Sequence, residues 1–137
     1  MKLLSLSDTR TLAAQVVNAC PPGSLLILFG ELGTGKTTLT QLIGLELGST
    51  AHISSPSYTL IHEYPTPEGL LVHIDAYRLP SGEALLDLGL EDYLARSRLV
   101  VVEWGEGLLE HYPEACSITL TLCAEGRQAE VKLGTTR

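Results

Sequence analysis

A strand, a glycine-rich turn and a helix follow one another between residues 24 and 47, and this unit constrains the fold more than any other part of the chain. The apolar run LLILF over residues 25–29 is too short for a helix and fits a strand buried on both faces. The following segment, GELGTGKT over residues 30–37, matches G-x-x-x-x-G-K-[ST], and a helical pattern then runs to Gly48. This order of elements is the context that a phosphate-binding loop requires.

The residue types of this loop suit a bound polyphosphate. Its glycines allow successive backbone N–H groups to turn inward, and the helix that follows directs its positive dipole end at the same anion. Lys36 can reach the β- and γ-phosphates, and the Thr37 hydroxyl can ligate Mg²⁺. We therefore predict that the chain binds a nucleoside triphosphate. The loop residues predicted to bind it are Glu31, Gly33, Thr34, Gly35, Lys36, Thr37 and Thr38.

Composition narrows the class of protein and its partners. A chain of 137 residues that is 45% hydrophobic can bury one real core, so we expect residues 1–137 to form a single domain. The net charge is −7 and no Lys/Arg cluster occurs, which argues against a surface that grips nucleic acid directly. If RNA is involved, a partner should hold it.

Cysteine usage and hydropathy indicate a cytoplasmic protein. Cys20, Cys116 and Cys123 are odd in number and lack metal-type spacing, so we expect reduced, mostly buried thiols. The first residues lack the apolar run of a signal peptide, and no stretch approaches the length of a membrane span.

Two predicted strands end in a carboxylate. The strand LLVHI over residues 70–74 leads to Asp75, and LVVV over residues 99–102 leads to Glu103 in the Walker B arrangement. One acid should complete the Mg²⁺ shell and the other should position water, although the pattern does not divide these duties. A helix cap or an exposed turn residue is the structural alternative for Asp75.

The remaining elements are predicted from shorter patterns. A helix is expected to start at caps near Ser5 and end at Cys20. Residues 59–64 should pair with residues 70–75 as antiparallel strands across a five-residue link, and residues 81–94 should form two short helical pieces. Residues 118–122 and 129–133 alternate in polarity around a turn, which predicts a C-terminal β-hairpin.

Several polar residues carry two interpretations from the sequence alone. The hydroxyl-rich segment around Ser55–Ser57 fits either a loop that enters a strand or a switch that senses the γ-phosphate. Arg78 could clamp a phosphate or form a structural ion pair, with the ion pair preferred. Trp104 could stack on a base, but a partly buried packing residue is the safer expectation. Arg127 could contact the nucleotide or keep the hairpin turn soluble.

Four segments, in this order and spacing, resemble the TsaE family, also called YjeE. They are GELGTGKTT, SPSYTLIHEY over residues 55–64, HIDAYRL over residues 73–79 and VEW over residues 102–104. The resemblance implies a small bacterial P-loop ATPase with ATP and Mg²⁺ as cofactors. It also implies a role, with the TsaB–TsaD pair, in making threonylcarbamoyladenosine at position 37 of tRNAs that read ANN codons.

The resemblance also assigns roles by position. It implies that Thr37 and Glu103 bind Mg²⁺ directly or through water, and that Asp75 has a catalytic or switch role. With Lys36, Asp75 and Glu103 form the expected catalytic set. Thr11 matches a family position close to the adenine, and Ser57 stands where threonine is frequent. Family members have helices on both faces of a mixed sheet, so we expect an α/β P-loop NTPase domain with a mixed, mostly parallel sheet.

Three functions fit these features. The first is an ATPase that is slow alone and stimulated by its partners, because no obvious arginine finger is present. The second is a small-molecule P-loop kinase. Two features argue against a kinase: no separate lid segment with paired arginines is visible, and little of the chain is left to form an acceptor pocket. The third is a nucleotide-gated binding module in which ATP occupancy alone matters. The oligomeric state is left open.

Overall fold

The computed structural model describes residues 1–31, 34–49, 61–76, 89–104 and 107–132. The strands in these ranges are β1 (Lys2–Leu3), β2 (Ser24–Phe29), β3 (Ile61–Thr66), β4 (Gly69–Asp75), β5 (Leu99–Glu103), β6 (Cys116–Cys123) and β7 (Gly126–Lys132). The helices are α1 (Leu6–Ala19), α2 (Lys36–Glu46), α3 (Leu90–Arg96) and α4 (Leu108–His111).

Helix α1 begins and ends where local chemistry predicts. The Ser5 side chain accepts a hydrogen bond from the backbone N–H of Asp8 at 3.3 Å and so caps the first turn. The helix ends at Ala19, because Pro21 lacks the N–H donor that a further turn would need. The predicted first helix is confirmed, and its buried face packs on α2.

The seven described strands form one sheet in the order β1-β7-β6-β2-β5-β4-β3. The four central strands, β6, β2, β5 and β4, run parallel to their neighbours within this group. The remaining pairings, β1 with β7, β7 with β6 and β3 with β4, are antiparallel. Because β2, β5 and β4 are parallel, their last residues, Phe29, Glu103 and Asp75, lie at the same edge of the sheet.

Separate apolar cores cover the two faces of the sheet. Successive side chains of a strand point to opposite faces, so β2 supplies Leu26 and Leu28 to one core and Leu25 and Ile27 to the other. Helices α1 and α2 cover the first core, and α3 and α4 contribute to the second. The expected mixed sheet with helices on both faces is therefore present, and β2 is apolar because it is buried on both sides.

The sheet is more evenly mixed than expected. Three of the six strand pairings are parallel and three are antiparallel, so only the centre fits the prediction of a mostly parallel sheet. One antiparallel pairing comes from β1, which the sequence analysis did not predict. This strand has two residues and is held by β7, a partner more than 120 residues away that no local pattern reveals.

The link between β3 and β4 is shorter than predicted. Strand β3 continues through Pro65 to Thr66, and a tight turn at Pro67 and Glu68 replaces the five-residue link. Proline is tolerated here because β3 is an edge strand. The Thr66 hydroxyl stabilises the turn by donating to the carbonyl of Gly69 at 2.5 Å and accepting from the Glu68 N–H at 3.1 Å.

The other predicted elements are confirmed where the structure describes them. The C-terminal hairpin consists of β6 and β7, and β6 also pairs with β2 in the parallel centre. Helix α3 corresponds to the second of the two helical pieces predicted in residues 81–94. The first piece, Arg78, Gly33 and the segment Ser55–Ser57 lie outside the described residues.

Candidate functional site

The two predicted carboxylates lie side by side at the carboxyl edge of the parallel strands. Asp75 pairs in register with Glu103, and Glu103 pairs in register with Leu28 near the end of β2. Open α/β sheets bind their ligands outside the carboxyl ends of their strands. The sheet topology thus brings the glycine-rich loop after β2 next to two acids that are 28 residues apart in the chain.

The glycine-rich loop is tightly packed where it leaves β2. A Cβ at Gly30 would lie 2.7 Å from the Leu120 carbonyl oxygen and 2.7 Å from Thr34 Oγ1, and the φ of Gly30 is 145°. Only glycine fits this conformation and space. The buried Thr34 hydroxyl donates to the Glu31 carbonyl at 2.7 Å and closes the loop on itself.

The N-terminus of α2 faces the loop without a side-chain cap. Gly35 precedes the helix in the left-handed conformation, with a φ of 99°, and no side chain caps α2 among the residues that the structure describes. The first turn also contains no acidic residue. Helix N-terminal N–H groups and the positive dipole end favour an anion, and this end of α2 has no protein carboxylate in its first turn to supply one.

Lys36 is a buried cation with several contacts. Its side chain is only 6% exposed, and its Nζ donates to the Gly30 carbonyl at 2.5 Å. The same Nζ lies 4.0 Å from Glu103 Oε1 and 3.9 Å from the ring centroid of Trp104. A carboxylate and an aromatic face thus hold the ammonium group at the mouth of the loop.

Glu103 is buried and its two oxygens have different neighbours. Oε1 faces Lys36, while Oε2 accepts a hydrogen bond from His73 Nε2 at 2.5 Å. His73 is fully buried on β4. This histidine was not predicted as a site residue. The available signal was its position two residues before Asp75, which puts a polar side chain on the same strand face within an apolar run.

Trp104 directly follows Glu103 in an unusual backbone conformation. Its φ is 61°, and it is the only non-glycine residue with a positive φ among the described residues. Its ring packs partly against the core shared by α3 and α4. The expected packing role is therefore present, and the ring also contacts Lys36.

The remaining predicted residues that the structure describes differ in exposure. Asp75 and Thr37 are half-buried, and Thr38 and Glu31 are exposed. Thr11 is exposed on α1, where its hydroxyl donates to the Ser7 carbonyl at 3.1 Å. The structure therefore brings the Lys36 and Glu103 side chains together and puts Asp75 in register with Glu103, whereas no described contact links Thr11 to them.

Arg127, on the C-terminal hairpin, lies against the glycine-rich loop. A Cβ built at Gly35 would lie 3.5 Å from both Cδ and Nε of Arg127 and 3.8 Å from its Cζ. The residue itself is exposed. Two roles for Arg127 were open from the sequence, and its side chain lies beside Gly35 of the glycine-rich loop.

The cysteines are free thiols, as predicted, and two of them are in contact. Cys20 and Cys116 are buried, and the Cys20 thiol lies 3.2 Å from the sulfur of Cys116. Burial is the main cause that raises the pKa of Cys20 to about 12, and the contact with Cys116 acts in the same direction. Cys116 begins β6, so this pair lies at the sheet edge opposite the candidate site.

The fold and these contacts define a mixed α/β protein with a glycine-rich loop, a buried lysine and two carboxylates at the carboxyl edge of its parallel strands. The family model described as "Threonylcarbamoyl adenosine biosynthesis protein TsaE" matches residues 3–131. The chain belongs to the TsaE family.

Individual relatives and a solved structure agree with this membership. The "tRNA threonylcarbamoyladenosine biosynthesis protein TsaE" of Streptomyces coelicolor is 42% identical over 108 residues, which is 77% of this chain and 72% of that protein. Its counterpart from Treponema pallidum is 34% identical over 125 residues, covering 90% of this chain and 92% of that protein. The crystal structure of Bacillus subtilis YdiB matches with a TM-score of 0.74 and 28% identity, covering 96% of this chain and 82% of that chain.

None of the helices that the structure describes is long and apolar enough to cross a membrane.

Proposed function

We propose that this protein is an ATPase that binds Mg-ATP at the carboxyl edge of its sheet and acts in tRNA threonylcarbamoyladenosine biosynthesis. The observation that carries the proposal is the placement of buried Lys36 between the glycine-rich loop and Glu103. An ammonium group is expensive to bury, and the loop that it serves precedes an uncapped helix N-terminus. A polyphosphate is the anion that this arrangement fits best.

The loop and its neighbours can bind the phosphates from several sides. Lys36 has three N–H donors and can hold phosphate oxygens at the position where it now contacts the Gly30 carbonyl. The backbone N–H groups at the start of α2 complete the cradle, and Gly35 lets the backbone approach closely. Arg127 supplies a second cation beside Gly35. Thr11 on α1 is proposed to lie near the adenine, on the strength of the family resemblance.

The acids fit a magnesium ion. Hard oxygen ligands suit Mg²⁺, which proteins hold through one or two carboxylates together with substrate phosphates. Glu103 and Asp75 are register neighbours, and Thr37 opens the helix that follows the loop. When bound, Mg²⁺ would neutralise charge that develops on the phosphates. We assign the metal to Thr37 and Glu103 and assign Asp75 the orientation of the attacking water.

The protein's charge favours an indirect role with RNA. The net charge of −7 opposes direct binding to a tRNA, so a partner complex should hold the RNA. We propose the TsaB–TsaD pair as this complex and position 37 of ANN-reading tRNAs as the site of modification. Hydrolysis by the chain alone should be slow, because the sequence offers no obvious arginine finger.

The test is ATP hydrolysis by this chain alone and with the TsaB–TsaD pair of the same organism. We expect slow turnover that rises strongly with the pair and disappears in Lys36→Ala. If the TsaB–TsaD pair does not change the rate of ATP hydrolysis, the proposed role in tRNA modification is wrong. Phosphoryl transfer to a nucleoside or sugar at a rate above hydrolysis would instead identify a kinase.

A further inference from the structure

His73 is a polar residue at a position where packing alone would favour an apolar one. It lies on β4 on the same strand face as Leu71, and its register partner on β5 is Val101. All three side chains are 0% exposed. A buried imidazole costs free energy unless its nitrogens are hydrogen-bonded, so its presence between two aliphatic neighbours requires a partner.

That partner is Glu103. His73 Nε2 lies 2.5 Å from Glu103 Oε2, whereas Nδ1 has no hydrogen-bond partner among the residues that the structure describes. A carboxylate only accepts hydrogen bonds, so the proton of this bond must reside on Nε2. The polarity of His73 is therefore matched by one contact, and that contact is to a site residue.

The contact fixes the orientation of the Glu103 carboxylate. A glutamate at the end of a strand has three rotatable side-chain bonds and can point its oxygens in several directions. Here Oε2 is held by a fully buried ring, which leaves Oε1 directed towards Lys36 at 4.0 Å. Oε1 thus faces the loop in which the phosphates would bind.

We propose that His73 is a positioning residue that holds Glu103 Oε2 and so presents Oε1 to the Mg²⁺ of a bound nucleotide. The inference rests on the proposed function, because it assumes a metal-dependent nucleotide site. Groups that orient a metal ligand typically change metal affinity by about 10- to 100-fold when they are removed. Removing the His73 contact should therefore reduce the gain in nucleotide affinity that Mg²⁺ provides.

Two substitutions separate positioning from packing. In His73→Gln the amide nitrogen is as many bonds from the backbone as Nε2 and can still donate to Glu103. In His73→Asn the amide nitrogen corresponds in position to Nδ1 and is too close to the backbone to reach Glu103 Oε2. Calorimetry with a non-hydrolysable ATP analogue, with and without Mg²⁺, gives the gain in affinity that the metal supplies to each variant.

We expect His73→Asn to reduce the Mg²⁺-dependent gain about tenfold and to change metal-free affinity less than about twofold. His73→Gln should restore most of the gain. A structural role alone would make both variants lose metal-free and metal-dependent affinity in the same proportion, and that result would overturn the proposal. His62→Gln is the matched control, because His62 is the register neighbour of His73 on β3 and its ring contacts Tyr64 at 2.8 Å.

A measurement on the wild-type chain keeps the proposal testable if the variants fail to fold. Long-range ¹H–¹⁵N correlation spectra report which nitrogen of His73 carries a proton. We expect a proton on Nε2, and a bare Nε2 with the proton on Nδ1 would overturn the proposal. This result does not depend on nucleotide. A wild-type chain that binds no ATP analogue would refute the proposed function, while the spectrum would still decide the His73–Glu103 contact.

Discussion

The two edges of the parallel sheet each bury a cation, but the two cations have different surroundings. At the carboxyl edge, the described contacts of Lys36 are with the Gly30 carbonyl, a carboxylate at 4.0 Å and the ring of Trp104. At the amino edge, Arg98 precedes β5, and its guanidinium donates to the carbonyls of Cys20 at 2.8 Å and Val17 at 3.0 Å, with the half-exposed Glu68 carboxylate 3.8 Å away. Both side chains are less than 10% exposed.

The difference indicates what each cation does. Arg98 binds carbonyls at the C-terminal end of α1, whose last turn contains no basic residue of its own, and a cation is favourable at that end of a helix dipole. Lys36 sits at the N-terminal end of α2, where the dipole disfavours a cation. We infer that Arg98 stabilises the fold. We infer that Lys36 has a binding role instead, because a bound anion would compensate for its unfavourable position in the helix dipole.

The largest effect should come from Lys36→Ala. Removing the ammonium group should lower ATP affinity by about 100-fold or more, since charge-assisted hydrogen bonds contribute about 1.5–3 kcal/mol each. The free energy of unfolding should change by less than about 1 kcal/mol, because relief from an unfavourable position in the helix dipole offsets the lost contact with the Gly30 carbonyl. Calorimetry and urea denaturation measure the two quantities, with Lys132→Ala on the exposed end of β7 as the control. Unaltered ATP binding would refute the site.

The opposite pattern is expected for Arg98→Ala. The free energy of unfolding should fall by about 2 kcal/mol, because two buried carbonyl contacts lose their donor. ATP affinity should stay within about twofold of the wild-type value at temperatures where the chain is folded. Arg96→Ala is the matched control, since its exposed ion pairs with Glu63 and Asp92 should contribute little measurable stability. If ATP affinity falls by much more than about twofold while the variant is still folded, the proposed distinction between the two edges is wrong.

Much of the fold followed from local sequence patterns. The apolar run over residues 25–29, the alternation in β6 and β7 and the caps of α1 each depend on neighbours within a few residues, and each element was predicted. The pairing of β1 with β7 was not, because it joins residues more than 120 positions apart. Hydrophobic periodicity shows which residues are buried but not which strands meet.

The candidate site shows the same difference between local patterns, which could be predicted, and long-range contacts, which could not. The loop with Lys36 and the carboxylates Asp75 and Glu103 could be predicted, because a glycine-rich turn and strand-end acids are short patterns. The contacts of His73 with Glu103 and of Arg127 with Gly35 needed the register of the sheet and the position of the hairpin. Both bring together residues at least 30 positions apart, which a sequence read alone does not place in contact.

A smaller effect on function is expected from Arg127→Ala. The guanidinium lies against Gly35 but remains exposed, so solvent and salt weaken its attraction for a phosphate. We expect ATP affinity to fall about tenfold at low ionic strength and less at high salt. Arg96→Ala makes the same change in net charge away from the loop. If the two variants lose affinity equally, net charge rather than the position of Arg127 explains the effect.

The smallest effect should lie at the amino edge and should concern stability alone. Burial raises the pKa of Cys20 from 9.0 to about 12, so the folded chain keeps a thiol proton that the unfolded chain releases above pH 9. The resulting stabilisation is complete below pH 9 and is lost as pH rises towards 12. Between pH 8 and pH 10 the free energy of unfolding should therefore fall by about 1 kcal/mol more in the wild-type chain than in Cys20→Ala.

Denaturation at several pH values measures this difference, with the melting temperature at pH 8 showing that Cys20→Ala is folded. Parallel pH profiles for the two chains would mean that the thiol keeps its ordinary acidity despite its burial against Cys116. ATP affinity at pH 8 should be the same in both chains, because the pair lies at the edge away from Lys36 and Glu103. A change in affinity would show that the two edges of the sheet are energetically coupled.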